Sequence, residues 1–263
     1  MSHPFGNILL ATEHTEFDSG SERVALEMAK ACGLPLSVVV PVSSNPEFEA
    51  AAQTLAGRAE QETASRMADL ERIAKDAGVS LAIRARRGVA AEEIVREALE
   101  RKSDLIVIRR RGRRGFIAKL LIGEMVSQVV SNSPCSVLMV PRACRMWSKG
   151  ILASVDGSSK TERVAIISAK IASECGLPLH LLCVAANEEK RMDAERIVSD
   201  AKKIAEESGV SAKTLVRIGQ PCDEILASPI DADLTVVGMS DVRSLGTARR
   251  VVERSEMPVL VVR

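Results

Sequence analysis

Residues 31–40 read ACGLPLSVVV, and residues 174–183 read ECGLPLHLLC. A short aliphatic run follows a Cys-Gly-Leu-Pro stop in both places. Upstream, ILLATE at Ile8 returns as ILASVD at Ile151, with the same offset of 143 residues. The pairing continues with a falling offset. Gly88 matches Gly219 (131), SDLIVIR at Ser103 matches ADLTVVG at Ala232 (129), and SVLMV at Ser136 matches PVLVV at Pro258 (122). The second copy is therefore shorter, mainly between its second and third aliphatic runs and between its fourth and fifth. This period is far longer than the 20–50 residues of solenoid repeats. It predicts two tandem domains, residues 1–142 and 150–263, with residues 143–149 as the linker.

Within each copy, short aliphatic runs alternate with longer amphipathic ones. In the first copy, strands are expected near 7–12, 35–41, 80–86, 104–109 and 136–140. The stretch EFEAAAQTLAGRAEQETASRMADLERIAKDAG, rich in Ala, Glu and Arg and stopped by Gly78, reads as helix. Strands that are apolar throughout and alternate with helices form a parallel sheet covered on both faces. The expected fold class is α/β: two five-stranded, doubly wound, Rossmann-like sheets. Such sheets bind ligands outside the carboxyl ends of the strands, where the winding direction switches. The residues after the first and fourth strands are thus the first places to look for a site.

Composition narrows the function. The chain has 263 residues, 46% of them apolar and only 2% aromatic, with a formal net charge of +1. Balanced charge argues against nucleic acid or an anionic membrane as the main partner, and no aromatics are interleaved to stack bases. The amino terminus lacks a basic leader, and no run approaches the roughly 20 apolar residues of a membrane span. Six scattered cysteines with no Cys-x-x-Cys spacing read as reduced thiols of a cytoplasmic protein and predict no metal site.

Other residues read first as structure. His14 follows the first strand with no visible nucleophile or orienting partner, His180 sits within an apolar strand, and Ser154, Ser158 and Ser159 surround Asp156 as turn and cap residues. The only tryptophan, Trp147, lies in the linker and is expected to pin the domains together. No nucleophile elbow, Walker lysine loop or dinucleotide glycine fingerprint is present.

The ordered set ILASVDGS, GQPCDEIL, LTVVG and MPVLVV, answered in the first copy by ILLATE, GVAAEEIV, LIVIR and PCSVLMV, resembles a tandem universal stress protein over residues 5–263. The resemblance implies an adenine-nucleotide alpha hydrolase-like fold and a stress-response module binding ATP, ADP or AMP. Nucleotide-binding members carry Gly-x2-Gly-x9-Gly-Ser/Thr after the fourth strand and an Asp at the end of the first. Glycines let backbone N–H groups approach phosphate, and a helix N-terminus favours an anion. In the first copy, Arg109 replaces the first Gly, Gly112 stands as the second, and ten residues lead to Gly123 and Glu124. Glu13 takes the place of the Asp. In the second copy Asp156, Gly238, Gly246 and Thr247 match, Asp241 replaces the second Gly, and only four residues separate it from Gly246.

Cofactor contacts are expected at Asp156, Gly238, Gly246 and Thr247, and, as a second set, at Glu13, Arg109, Gly112, Arg113, Gly115 and Gly123. Glu13 and Asp156 would meet base or ribose, the glycines phosphate, and the arginines its charge. The run RRRGRRG from Arg109 reads equally as a solvated loop, and Glu124 as a favourable first-turn carboxylate. Three readings follow: a binding module with a nucleotide in at most one domain, a nucleotide-free scaffold acting through protein partners, or a slow ATP hydrolase. The resemblance also implies an intramolecular pseudo-dimer with Val137–Val140 beside Val259–Val262, and leaves a further homodimer open.

Overall fold

The computed structural model describes residues 3–42, 53–110, 124–239 and 246–263, with helical side chains described from residue 60 in the stretch that begins at 53. The chain forms two compact units, Phe5–Met146 and Trp147–Arg263, the second including Met1–Pro4.

The first unit runs β1 (Ile8–Ala11), α1 (Ser19–Cys32), β2 (Leu36–Val42), α2 (Gln53–Ala77), β3 (Leu81–Arg87), α3 (Ala90–Arg101), β4 (Leu105–Arg109), α4 (Glu124–Asn132) and β5 (Ser136–Val140). Its strands lie in the order β3-β2-β1-β4-β5, and each pair is parallel. Ile8 pairs with Leu36 on one side and Leu105 on the other. Winding therefore reverses at β1, and the crevice between the ends of β1 and β4 is the switch point. The expected strands are all present, with every end within one residue of its expected place.

The second unit repeats the plan: β6 (Ile151–Ser154), α5 (Thr161–Cys175), β7 (Leu179–Ala185), α6 (Arg191–Glu207), β8 (Ala212–Ile218), α7 (Pro221–Leu226), β9 (Leu234–Gly238), α8 (Gly246–Arg254) and β10 (Val259–Val262). Its order is β8-β7-β6-β9-β10, again parallel, with Ile151 between Leu179 and Leu234.

The repeated Cys-Gly-Leu-Pro ends a helix and starts a strand. Gly33 and Gly176 both take φ of 63°, a left-handed conformation that costs a residue with a Cβ more than it costs glycine. Leu34 N–H then donates to the Ala29 carbonyl, and Leu177 N–H to Ala172, each at 2.9 Å. These are the long bonds of the Schellman cap, and the following proline cannot continue the helix. Each α1 or α5 is thus cut where β2 or β7 must begin.

The cores are aliphatic, as the scarcity of aromatics requires. Ile8, Leu9, Leu105, Ile106, Ile151 and Leu234 are fully shielded from solvent. At the edge of the first sheet, β3 carries Arg84 and Arg86 against Glu97 and Glu100 of α3. Charges along an edge strand discourage pairing with another chain.

Candidate functional site

The two switch-point crevices share a backbone plan and differ in chemistry. In the first, the chain leaves β1 through Thr12, Glu13 and His14. His14 has φ of 51°, which turns the chain sharply. Thr12 Oγ1 accepts from the His14 backbone N–H at 2.8 Å and donates to Glu22 Oε1 at 2.6 Å. His14 Nδ1 lies 3.0 Å from the same Glu22 oxygen. The histidine thus has an orienting carboxylate eight residues on, a partner that the sequence reading missed.

Arg109, the last residue of β4, fills the middle of this crevice. Its Nη2 donates to Glu13 Oε2 at 2.9 Å, and its Nη1 to Asp18 Oδ2 at 3.2 Å and Thr15 Oγ1 at 3.1 Å. Asp18 is 1% exposed and also accepts from the Thr15 backbone N–H and hydroxyl. A guanidinium set between two carboxylates is already neutralised. The first crevice therefore holds its own cation, and Glu13 is engaged with it. Glu124 opens α4, with Gln128 Nε2 donating to it at 3.4 Å. Gly112, Arg113, Gly115 and Gly123 lie outside the described residues.

In the second crevice the same positions are small or uncharged. Across the offset of 143, Thr12, His14, Asp18 and Glu22 become Val155, Gly157, Thr161 and Ala165; across 129, Arg109 becomes Gly238. Asp156 replaces Glu13 and opens an exposed turn. Its Oδ1 accepts from the Ser158 backbone N–H at 3.0 Å and the Thr161 hydroxyl at 3.5 Å. Its other oxygen has no partner among the described residues. Gly157 has φ of 75° and donates its N–H to Thr161 Oγ1 at 2.9 Å, which tightens the turn.

Gly238 ends β9 where α5 comes close. A Cβ added there would stand 3.0 Å from the Lys160 Cβ and 3.2 Å from Val164 Cγ2. Packing alone thus favours glycine at this position. Gly246 and Thr247 open α8, the glycine exposed and the threonine half-buried. Both sit on the carboxyl side of β9, as does Asp156 on that of β6. The structure gathers Glu13 with Arg109 in one unit, and sets Asp156 and Gly238 at neighbouring strand ends in the other.

Trp147 is buried in the second unit, where its indole N–H donates to Cys175 Sγ at 3.2 Å. His180 is half-buried on β7, and burial lowers its pKa. Burial also pushes the Cys183 thiol up to about 11, with the charge of Asp156 adding to the rise. Among the described residues no three His, Cys, Asp or Glu gather as metal ligands would, and no helix is long and apolar enough to cross a membrane.

Comparison with known proteins agrees with this architecture. The profile of the Universal stress protein family matches residues 4–141, more than half of the chain. A universal stress protein of Thermus aquaticus is 34% identical over 142 residues, covering 52% of this chain and 98% of that protein. One from Methanocaldococcus jannaschii is 24% identical over 142 residues, with coverage of 52% and 83%. Among solved structures, a universal stress protein from Archaeoglobus fulgidus superposes with a TM-score of 0.79 at 18% identity, covering 100% of this chain and 98% of its own. A functionally unknown protein from Pseudomonas aeruginosa gives 0.70 at 20% identity, covering 98% and 92%. These last two likenesses are of fold.

Proposed function

The chain belongs to the universal stress protein family, and from that premise we propose that it is a stress-response binding module whose second unit alone takes an adenine nucleotide. The observation that carries this reading is the contrast between the crevices. Arg109 occupies the first one, bonded to Glu13 and Asp18, whereas the second has Gly238 in place of Arg109 and Thr161 in place of Asp18, and leaves Asp156 exposed with one carboxylate oxygen unbonded among the described residues.

The roles follow from the chemistry of the positions. A carboxylate accepts from ribose hydroxyls, as Asp156 would at the end of β6. The N-terminus of α8, with Gly246 and the Thr247 hydroxyl, suits a phosphate. The first unit then serves as a folded partner without a ligand of its own. Its closed crevice favours the scaffold reading for that half. Catalysis has little support, since His14, the histidine that Glu22 orients beside the end of β1, lies in the occupied crevice.

Native mass spectrometry of gently purified protein, with release and identification of any bound small molecule, tests the reading. One adenine nucleotide per chain, lost in Asp156→Ala and kept in Glu13→Ala, is expected. An empty protein that ignores added adenosine, AMP, ADP and ATP would overturn it.

A further inference from the structure

We infer that Lys160 carries the phosphate charge of the second unit's ligand, and that this ligand bears a single phosphate on its ribose. The inference rests on the reading that this crevice takes an adenine nucleotide.

Lys160 is the N-cap of α5, between the Asp156 turn and the end of β9. Its stem lies against Gly238, close enough that a Cβ on the glycine would crowd the lysine Cβ at 3.0 Å. The aliphatic stem therefore covers the end of β9. The side chain is half-buried.

Lysine is a poor choice for this position on local grounds. An N-cap side chain normally accepts a bond from the first turn, and Lys160 makes no such cap. Its charge also stands at the positive end of the helix dipole. No carboxylate lies within ion-pair distance among the described residues. Asp156, the acid at the start of the turn, is bonded to the Ser158 N–H and the Thr161 hydroxyl. A residue that violates local preference without compensation inside the protein is expected where a ligand supplies the compensation.

The internal repeat sharpens the point. The first-unit counterpart of Lys160 is Phe17, which carries no charge. There the cation comes from the other wall, as Arg109, and is neutralised by Glu13 and Asp18. The first crevice thus has Arg109 satisfied by Glu13 and Asp18, whereas Lys160 in the second has no ion-pair partner among the described residues.

Chain length sets the size of the ligand. The second copy has seven fewer residues between its fourth and fifth strands, since the offset falls from 129 to 122. At 3.3–3.6 Å per residue this removes roughly 24 Å of contour that could wrap further phosphates. A single ammonium and one helix N-terminus match one phosphate better than three.

Isothermal titration with adenosine, AMP and ATP, at two salt concentrations, tests the inference on the full chain. The parent should bind AMP more tightly than either adenosine or ATP. Lys160→Met should lose about tenfold for AMP and most of its salt dependence while keeping adenosine affinity, and Lys160→Arg should retain AMP. Unchanged adenosine binding is also the control that the variant folds. AMP affinity in Lys160→Met equal to the parent's would overturn the role of Lys160 and leave the nucleotide reading standing. A parent that prefers ATP would overturn the single-phosphate assignment. A parent that binds none of the three would sink the nucleotide reading and this inference with it.

Discussion

Arg109 holds Asp18 in an ion pair at 3.2 Å, and the carboxylate it holds is 1% exposed. Removing the guanidinium leaves a buried charge that, among the described residues, only the Thr15 N–H and hydroxyl stabilise. Breaking a buried pair from one side costs about 3–5 kcal/mol, and the Thr15 bonds reduce that here to about 2–3 kcal/mol. Arg109→Met should lower the urea midpoint accordingly. Arg109→Met combined with Asp18→Asn should recover most of the loss, because the orphaned charge is gone. Additive losses in the double variant would show that the two residues do not act as a pair.

Gly238 is fixed by what packs on it. Its φ lies outside the left-handed region, so an alanine there meets a contact problem and no backbone strain. The added Cβ would press on Lys160 Cβ and Val164 Cγ2, atoms close to the α5 backbone that cannot swing away. Crowding of this kind costs about 1–3 kcal/mol. Gly238→Ala should therefore lower the melting temperature and, by displacing Lys160, weaken nucleotide binding as well. A variant with the parent's stability would mean that α5 yields without cost.

The fold was readable because both copies state it in the same terms. Aliphatic runs mark the strands, and Cys-Gly-Leu-Pro marks the turn from helix to strand twice. The crevices were readable only in part. Asp156 and Gly238 stand out as matches to a pattern. The engagement of Arg109 did not, because Glu13 and Asp18 lie more than ninety residues away and the arginine was read as one of a run. A signal was nevertheless present: aligning the copies puts Arg109 on Gly238 and Asp18 on Thr161, so a cation and an anion vanish together from the second copy. Lys160 was missed for the opposite reason. One lysine in a turn has no pattern, and only the close approach to Gly238 gives it a place.

Glu97 on α3 is fully buried and accepts from Arg101 Nε at 2.7 Å, Arg84 Nη1 at 3.3 Å and Arg86 Nε. Burial is the largest influence on its pKa and pushes it up. The bonds from Arg101 and Arg86, with the charges of Arg86 and Arg84, outweigh that and hold it below 4.5. A carboxylate depressed on folding stabilises the protein above its unfolded pKa, and the contribution is lost as pH falls through the folded value. Glu97→Gln should cost about 3 kcal/mol at pH 7, since three guanidinium groups lose their shared anion. The gap between variant and parent should narrow below pH 4.5. Denaturant midpoints at pH 7 and pH 3.5 measure both, and an equal gap at the two values would contradict the linkage.

Glu174 has the opposite sign. Burial raises its pKa from 4.5 to about 7, against the pull of Lys170, and its Oε2 lies 2.9 Å from His3 Nδ1. Burial lowers the pKa of His3 as well, so the contact favours a single shared proton over an ion pair. A carboxylate raised on folding binds its proton more tightly in the native state. Stability therefore falls as pH rises from about 4.5 to about 7 and is level above that. Glu174→Gln removes this dependence and leaves that of His3 in place. The variant should match the parent near pH 4 and exceed it at pH 8. Trp147 offers a local probe, because its indole bonds to Cys175, the next residue, within the same unit. Urea unfolding followed by tryptophan fluorescence across pH 4–8 should show the two curves diverging upward from pH 4.5. Parallel curves would mean that Glu174 is charged at neutral pH and paired with a protonated His3.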